Sequence, residues 1–194
     1  MLCLQKLTDP SWVDAVEGDL GGLLSDHAHC ELKAAHSALS LVGRFGGEAP
    51  EIVAPLTALA LEETGHFAEV ERWIRQLGGT LGQPGSDEYV VALRNGARAD
   101  GTATPVLLDR LLVGALIEAR SCERFRVLSE RLRSADLRAF YRDLMASEAR
   151  HYRLFVGLAE ERFGGEDARS RLAVLAAREA KIAEKLPLGP RIHG

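Results

Sequence analysis

The sequence predicts an all-α protein built on a four-helix bundle, and three observations predict it. Apolar residues recur at steps of three and four through most of the 194 residues, with no convincing run of alternating β-branched residues. Glycine and proline clusters cut the chain into four segments of roughly 24 to 30 residues, far longer than the usual helix of ~11–12. Each of the four carries an apolar stripe interrupted near its middle by a carboxylate, the arrangement of a bundle that keeps charge at its centre.

The elements follow in order. A short N-terminal segment starts around Pro10 and is expected to break at Gly21-Gly22, after which a first long helix runs to about Gly43 and stops at the "GRFGG" glycines. The second starts near Ala49-Pro50 and reaches Gly78-Gly79, with Pro55 still in its opening turns, where a missing N–H costs least. Residues 79–103 read as irregular, with a turn or two of helix around Asp87–Arg94. Thr104-Pro105 opens a third long helix to about Leu132. A brief "RSAD" turn leads to a fourth, about Ala135 to Phe163, ended by "FGGED". A further helix, Asp167 to about Lys185, precedes a Pro/Gly tail. A short link, a long crossover and another short link describe ferritin-like connectivity, with additional short N-terminal and C-terminal helices. No second core is evident, so one domain over residues 1–194 is expected.

Composition narrows the class. Hydrophobic content of 46% with 27% charged residues is that of a globular protein rather than a disordered one. No basic segment followed by an apolar run marks an export signal, and no stretch approaches the roughly 18 apolar residues of a membrane span. Three cysteines without a CxxC argue against a disulfide framework and for a reducing cytoplasm. Charge is uneven. Residues 1–93 hold 5 Lys/Arg against 14 Asp/Glu, whereas residues 94–153 hold 12 arginines against 8 acids. The second region is either a solvated helix face or a basic surface for a polyanion.

The chemistry lies in the interrupted stripes. On the second long helix the series is Leu56, Leu59, Glu63, His66, Val70, Trp73, Leu77; on the fourth it is Leu137, Tyr141, Leu144, Glu148, His151, Phe155, Leu158. The first helix reads Leu20, Leu24, His27, Glu31, Ala34, Ala38 and the third Leu107, Leu111, Gly114, Glu118, Cys122, Phe125. A Glu-x-x-His pair alone is a weak signal, adequately explained by a surface salt bridge. All six residues together form a repeat, "Glu … Glu-x-x-His" in two halves, centred in each helix. Four buried carboxylates cannot all stay ionised without a cation. Two divalent metals held by Glu31, Glu63, His66, Glu118, Glu148 and His151 resolve this, as in di-iron and di-manganese bundles. Around them, His27 is either a donor to Glu31 or a satisfied core histidine. His29 and His36 read as surface, Glu62 as a salt-bridge partner, and Cys30 and Cys122 as small core residues. Asp26, Asp143 and Arg120 are candidates for orienting ligands.

The blocks "DHAHCELKAAHSALSLVGRF", "LEETGHFAEV", "DRLLVGALIEARSCERF" and "ASEARHY" resemble those of the tRNA 2-methylthio-N6-isopentenyladenosine hydroxylase family, from about Leu7 to Phe163. The third block is the most specific. One departure is His29 before Cys30-Glu31, where a small polar residue is expected. The resemblance implies a ferritin-like non-haem di-iron monooxygenase that hydroxylates the isopentenyl side chain of a hypermodified adenosine beside the tRNA anticodon. It assigns the same six residues as ligands of two iron ions (Fe2+/Fe3+), O2 as co-substrate, and an external electron donor, a reductase or ferredoxin. It implies tRNA as partner, no membrane, a cytoplasmic monomer or dimer, and a use for Arg94, Arg98, Arg110, Arg120, Arg124, Arg126, Arg131 and Arg133 on tRNA phosphates. The alternative is a ferritin-like iron-handling or ferroxidase protein.

Overall fold

Asp19 decides where the first long helix begins. Its carboxylate accepts from the Gly22 amide at 2.8 Å, capping a helix that runs straight through Gly21-Gly22. The expected break therefore falls one turn earlier, between a short α1 (Trp12–Gly18) and α2 (Leu20–Phe45). The computed structural model describes residues 2–99 and 104–193, and every regular element among them is helical. The end of the stretch read as irregular, residues 100–103, lies outside the described residues. By internal contacts the chain divides into two compact units, Asp14–Ser86 with Gly189–Ile192, and Met1–Val13 with Asp87–Leu188 and His193–Gly194.

The first unit is a helical hairpin. A 3-10 turn, Pro50–Ile52, leads into α3 (Val53–Gln76), which lies along α2. The buried face of α2 is Leu23, Leu24, His27, Ala28, Glu31, Ala35, Ala38 and Leu41, and that of α3 is Leu56, Leu59, Ala60, Glu63, His66, Val70 and Ile74. The stripes differ from expectation at their ends. Leu20 and Ala34 are half-buried, Ile74 replaces Trp73, and Leu77 is exposed. A 3.6-residue helix drifts from a strict three-four count over several turns, so the ends lose phase while the centre keeps it. After α3 the chain returns along α2. Ser25 Oγ accepts from the Gly82 amide at 2.9 Å, His29 Nε2 donates to the Gly82 carbonyl at 2.8 Å, and Lys33 Nζ donates to the Gly85 carbonyl at 3.0 Å. These side chains stand one turn apart. A Cβ at position 82 would sit 2.9 Å from Ser25 Oγ, so a larger residue there would turn the serine away and cost its hydrogen bond to the Gly82 amide.

The second unit centres on α5 (Val106–Arg131), with α6 (Ala135–Phe163), α7 (Gly165–Ala183) and α4 (Glu88–Arg98) against it or each other. The α4 helix is longer than the one or two turns expected, started by Asp87, whose carboxylate accepts from the Val90 amide at 2.9 Å. Ser134 caps α6 in the same way, accepting from the Leu137 amide. Because neighbours surround it, α5 buries 19 of its 26 residues, including Asp109, Arg120, Glu123 and Arg124. Arg120 shows how such charge is tolerated. Its guanidinium donates to Glu179 on α7 at 2.6 and 3.0 Å, to Glu123 at 3.0 Å and to the Lys6 carbonyl at 2.8 Å. Tyr89 of α4 donates to the same Glu179 oxygen at 2.9 Å, and Thr8 Oγ1 donates to Glu123 at 2.6 Å. Burial, and then the charge of Glu179, push the Tyr89 phenol well above its ordinary pKa, so it remains a donor. Near the C-terminus His193 is buried between Asp87, 2.9 Å from Nδ1, and Ser121, 3.1 Å from Nε2, and stacks on Tyr89.

Candidate metal-binding triads

In the α2–α3 unit, Glu31, Glu63 and His66 come together on facing helices. All three are less than 10% exposed, and Glu63 is fully buried. His66 Nδ1 is 3.1 Å from Glu63 Oε2 and 4.0 Å from Glu31 Oε2, while His66 Nε2 faces the half-exposed Glu62 at 3.8 Å. In the α5–α6 unit the same set recurs: His151 Nδ1 lies 3.8 Å from Glu118 Oε2 and 3.9 Å from Glu148 Oε1. These three are also buried. In both triads the carboxylate oxygens converge on Nδ1, so that nitrogen faces the donor cluster. Two carboxylates and one imidazole, dry and within about one ion's span of each other, suit iron, manganese or zinc better than a soft-metal site. This donor chemistry fits an iron ion in each triad. Burial makes the fit specific, since adjacent carboxylates in a dry interior are costly unless a cation neutralises them.

Other expected contributors separate. His27 is fully buried, its Nε2 2.6 Å from Glu31 Oε1, and so belongs to the first triad's surroundings. Asp26 does not orient a ligand: its carboxylate accepts from the Ile192 amide at 2.8 Å and meets the Cys30 thiol. Asp143 is exposed, and Arg120 serves the Glu123–Glu179 cluster instead. Cys122 donates to the Met145 carbonyl, and burial pushes its thiol up to about 11. None of the three cysteines is in a disulfide. Of the arginines expected on the surface, Arg120 and Arg124 are inside, the latter over the Trp12 ring at 4.6 Å. Arg98 is paired with Asp109, and Arg126 with Glu130. Arg94, Arg131 and Arg133 are exposed and Arg110 half-buried. Glu62, expected as a salt-bridge partner, faces His66 one turn on, as its i,i+4 spacing allows. Sequence reasoning missed the burial of His193, for which a tail sequence carries no periodic signal.

An all-helical chain carrying two buried Glu/Glu/His triads defines a protein of the ferritin-like, carboxylate-and-histidine metal class. Along its whole length it is similar to a solved structure, "Protein 43 with aldehyde deformylating oxygenase activity from Synechococcus", with a TM-score of 0.91, 38% identity, and coverage of 100% of this chain and 96% of that one. The chain belongs to the tRNA-(MS[2]IO[6]A)-hydroxylase (MiaE) family, whose description matches residues 1–194. It is similar to a tRNA 2-(methylsulfanyl)-N(6)-isopentenyladenosine(37) hydroxylase of Pseudomonas putida, 36% identical over 187 residues, covering 96% of this chain and 89% of the relative. A protein of the same description from Salmonella typhimurium is 30% identical over 206 residues, covering 82% and 75%. The chain is thus an enzyme of a hydroxylase family with a ferritin-like four-helix bundle fold, and no described helix is long and apolar enough to cross a membrane.

Proposed function

We propose that this chain hydroxylates the isopentenyl side chain of 2-methylthio-N6-isopentenyladenosine in tRNA, beside the anticodon. The observation that carries the reading is the pair of buried Glu/Glu/His triads, mid-helix on α2–α3 and again on α5–α6, in a chain whose relatives bear hydroxylase names. In this reading Glu31, Glu63 and His66 hold one iron, and Glu118, Glu148 and His151 hold a second. The iron pair supplies oxidation by O2. With two electrons from a reductase or ferredoxin and two protons, one oxygen atom enters a C–H bond and the other leaves as water. The protein's own part is to fix six donors, exclude water and present the base. A base in a stacked anticodon loop must be splayed out before its side chain reaches a buried centre. Arg94, Arg131 and Arg133 are exposed and lie where phosphates could approach, and the cytoplasm, where tRNA and reduced cysteines coexist, is the compartment.

The iron-handling alternative is not favoured, because the family and both curated relatives carry hydroxylase names. The test is nucleoside mass spectrometry of tRNA carrying the isopentenyl base after treatment with the iron-loaded protein, O2 and a reductant. A gain of one oxygen on the isopentenyl group is expected. An unchanged nucleoside profile with fully loaded protein overturns the reading.

A further inference from the structure

The two halves of the repeat are unequal around their lone carboxylates, and this inference rests on reading the six residues as metal ligands. One turn before Glu31 stands His27, with no solvent exposure and Nε2 only 2.6 Å from Glu31 Oε1. An ionised carboxylate can only accept, so Nε2 is the donor and is committed to that bond. A hydrogen bond to a charged group is short and strong, and both partners here are dry. Oε1 is therefore held toward His27, and Oε2 is the oxygen turned toward His66 Nδ1, at 4.0 Å. One turn before Glu118 the chain has Gly114. A Cβ at that place would meet Phe155 ring carbons at 3.0 to 3.1 Å, so the ring occupies the room a side chain would need. Among the described residues no hydrogen bond is given to Glu118; its Oε2 lies 3.8 Å from His151 Nδ1, in a cluster shared with Glu148.

We propose that His27 is a positioning residue that commits Glu31 to metal binding through Oε2 alone, while Glu118, with glycine in the equivalent place, keeps both oxygens available. The metal held by Glu31, Glu63 and His66 is then the more rigidly held of the two. Oxygen-donor ligands whose outer partners are removed lose order, and metal affinity with it.

The experiment is anaerobic Fe(II) titration of the full chain against a competing chelator, with Mössbauer spectra of the loaded protein, for wild type, H27L, H27N and H27Q. Gln reaches the place of Nε2 with an amide N–H, whereas Asn falls short and Leu has no donor. H27L and H27N are expected to weaken the tighter of two binding steps by about 10–100-fold, with H27Q within about threefold of wild type. The quadrupole doublet of one iron should shift in H27L and H27N and return in H27Q. If H27L does not fold by circular dichroism, the contrast between H27N and H27Q decides. Wild-type titration and spectra in H27N or H27L, with two irons bound, overturn the positioning role alone. Failure of the wild type to take up iron overturns both this role and the ligand assignment beneath it.

Discussion

Cys122 illustrates what a buried position does to a single side chain. It stands on the stripe of α5 one turn beyond Glu118, where burial raises its thiol to about 11. A group whose folded pKa lies above its unfolded value keeps its contribution to stability below the unfolded pKa and loses it as pH rises toward the folded one. Here the window opens near the ordinary thiol value of 9.0 and extends to about 11. Stability followed by denaturant midpoint is therefore expected to fall with pH across that window in wild type and to fall less in C122A. Retention of the full slope in C122A would count against this account. The same reasoning separates the triads from a bystander: Glu31, Glu63, Glu118 and Glu148 were legible as buried, chemically loaded positions because carboxylates interrupt apolar stripes. Cys122, apolar in habit, interrupts nothing.

At the scale of the element, α5 departs furthest from an amphipathic helix. A stripe reading correctly placed Leu107, Leu111, Glu118, Cys122 and Phe125 inside, while the family resemblance assigned Arg120 and Arg124 to tRNA phosphates, and both are buried. Periodicity assumes one buried face, whereas α5 has neighbours on several sides and buries charge wherever a partner reaches it. Arg120 is the case to test. It joins α5 to α7 through Glu179 and to the N-terminal segment through the Lys6 carbonyl, with Tyr89 of α4 on the same glutamate. Replacing it with methionine keeps the volume but leaves Glu123 and Glu179 as uncompensated buried charges. R120M is expected to lose about 3–5 kcal/mol in urea unfolding, as breaking one side of a buried pair does. A loss below about 1 kcal/mol, the range of a surface pair, would show that the cluster is solvated. In α2 the reverse happened: Gly21-Gly22 suggested a break, and the Asp19 cap overrode it.

For the whole molecule, the acidic triads are a liability without metal and an asset with it. In the metal-free protein each triad confines two carboxylates in a dry interior, so the neutral substitution E63Q is expected to leave metal-free thermal stability equal to or above that of wild type. Iron should raise the wild-type midpoint, because a ligand bound only by the folded state stabilises it by mass action, and should raise that of E63Q much less. Differential scanning calorimetry with and without Fe(II) checks both. A metal-free E63Q that melts well below metal-free wild type would mean that Glu63 serves the fold rather than a metal.

The sequence by itself determined the helices, their order and the six residues that interrupt them, because periodicity, caps and breakers are local properties written along one strand of chain. It also carried the family's blocks. Tertiary structure alone decided that His27 turns its ring onto Glu31 while Gly114 leaves Phe155 beside Glu118's helix, that Arg120 faces inward, and that Ser25, His29 and Lys33 tie the loop after α3 to α2. Each of these depends on which atoms of a distant segment, or which rotamer of a near one, fill the space beside a side chain. A one-dimensional pattern can say that a residue is buried, but the partner that makes its burial affordable is chosen by packing.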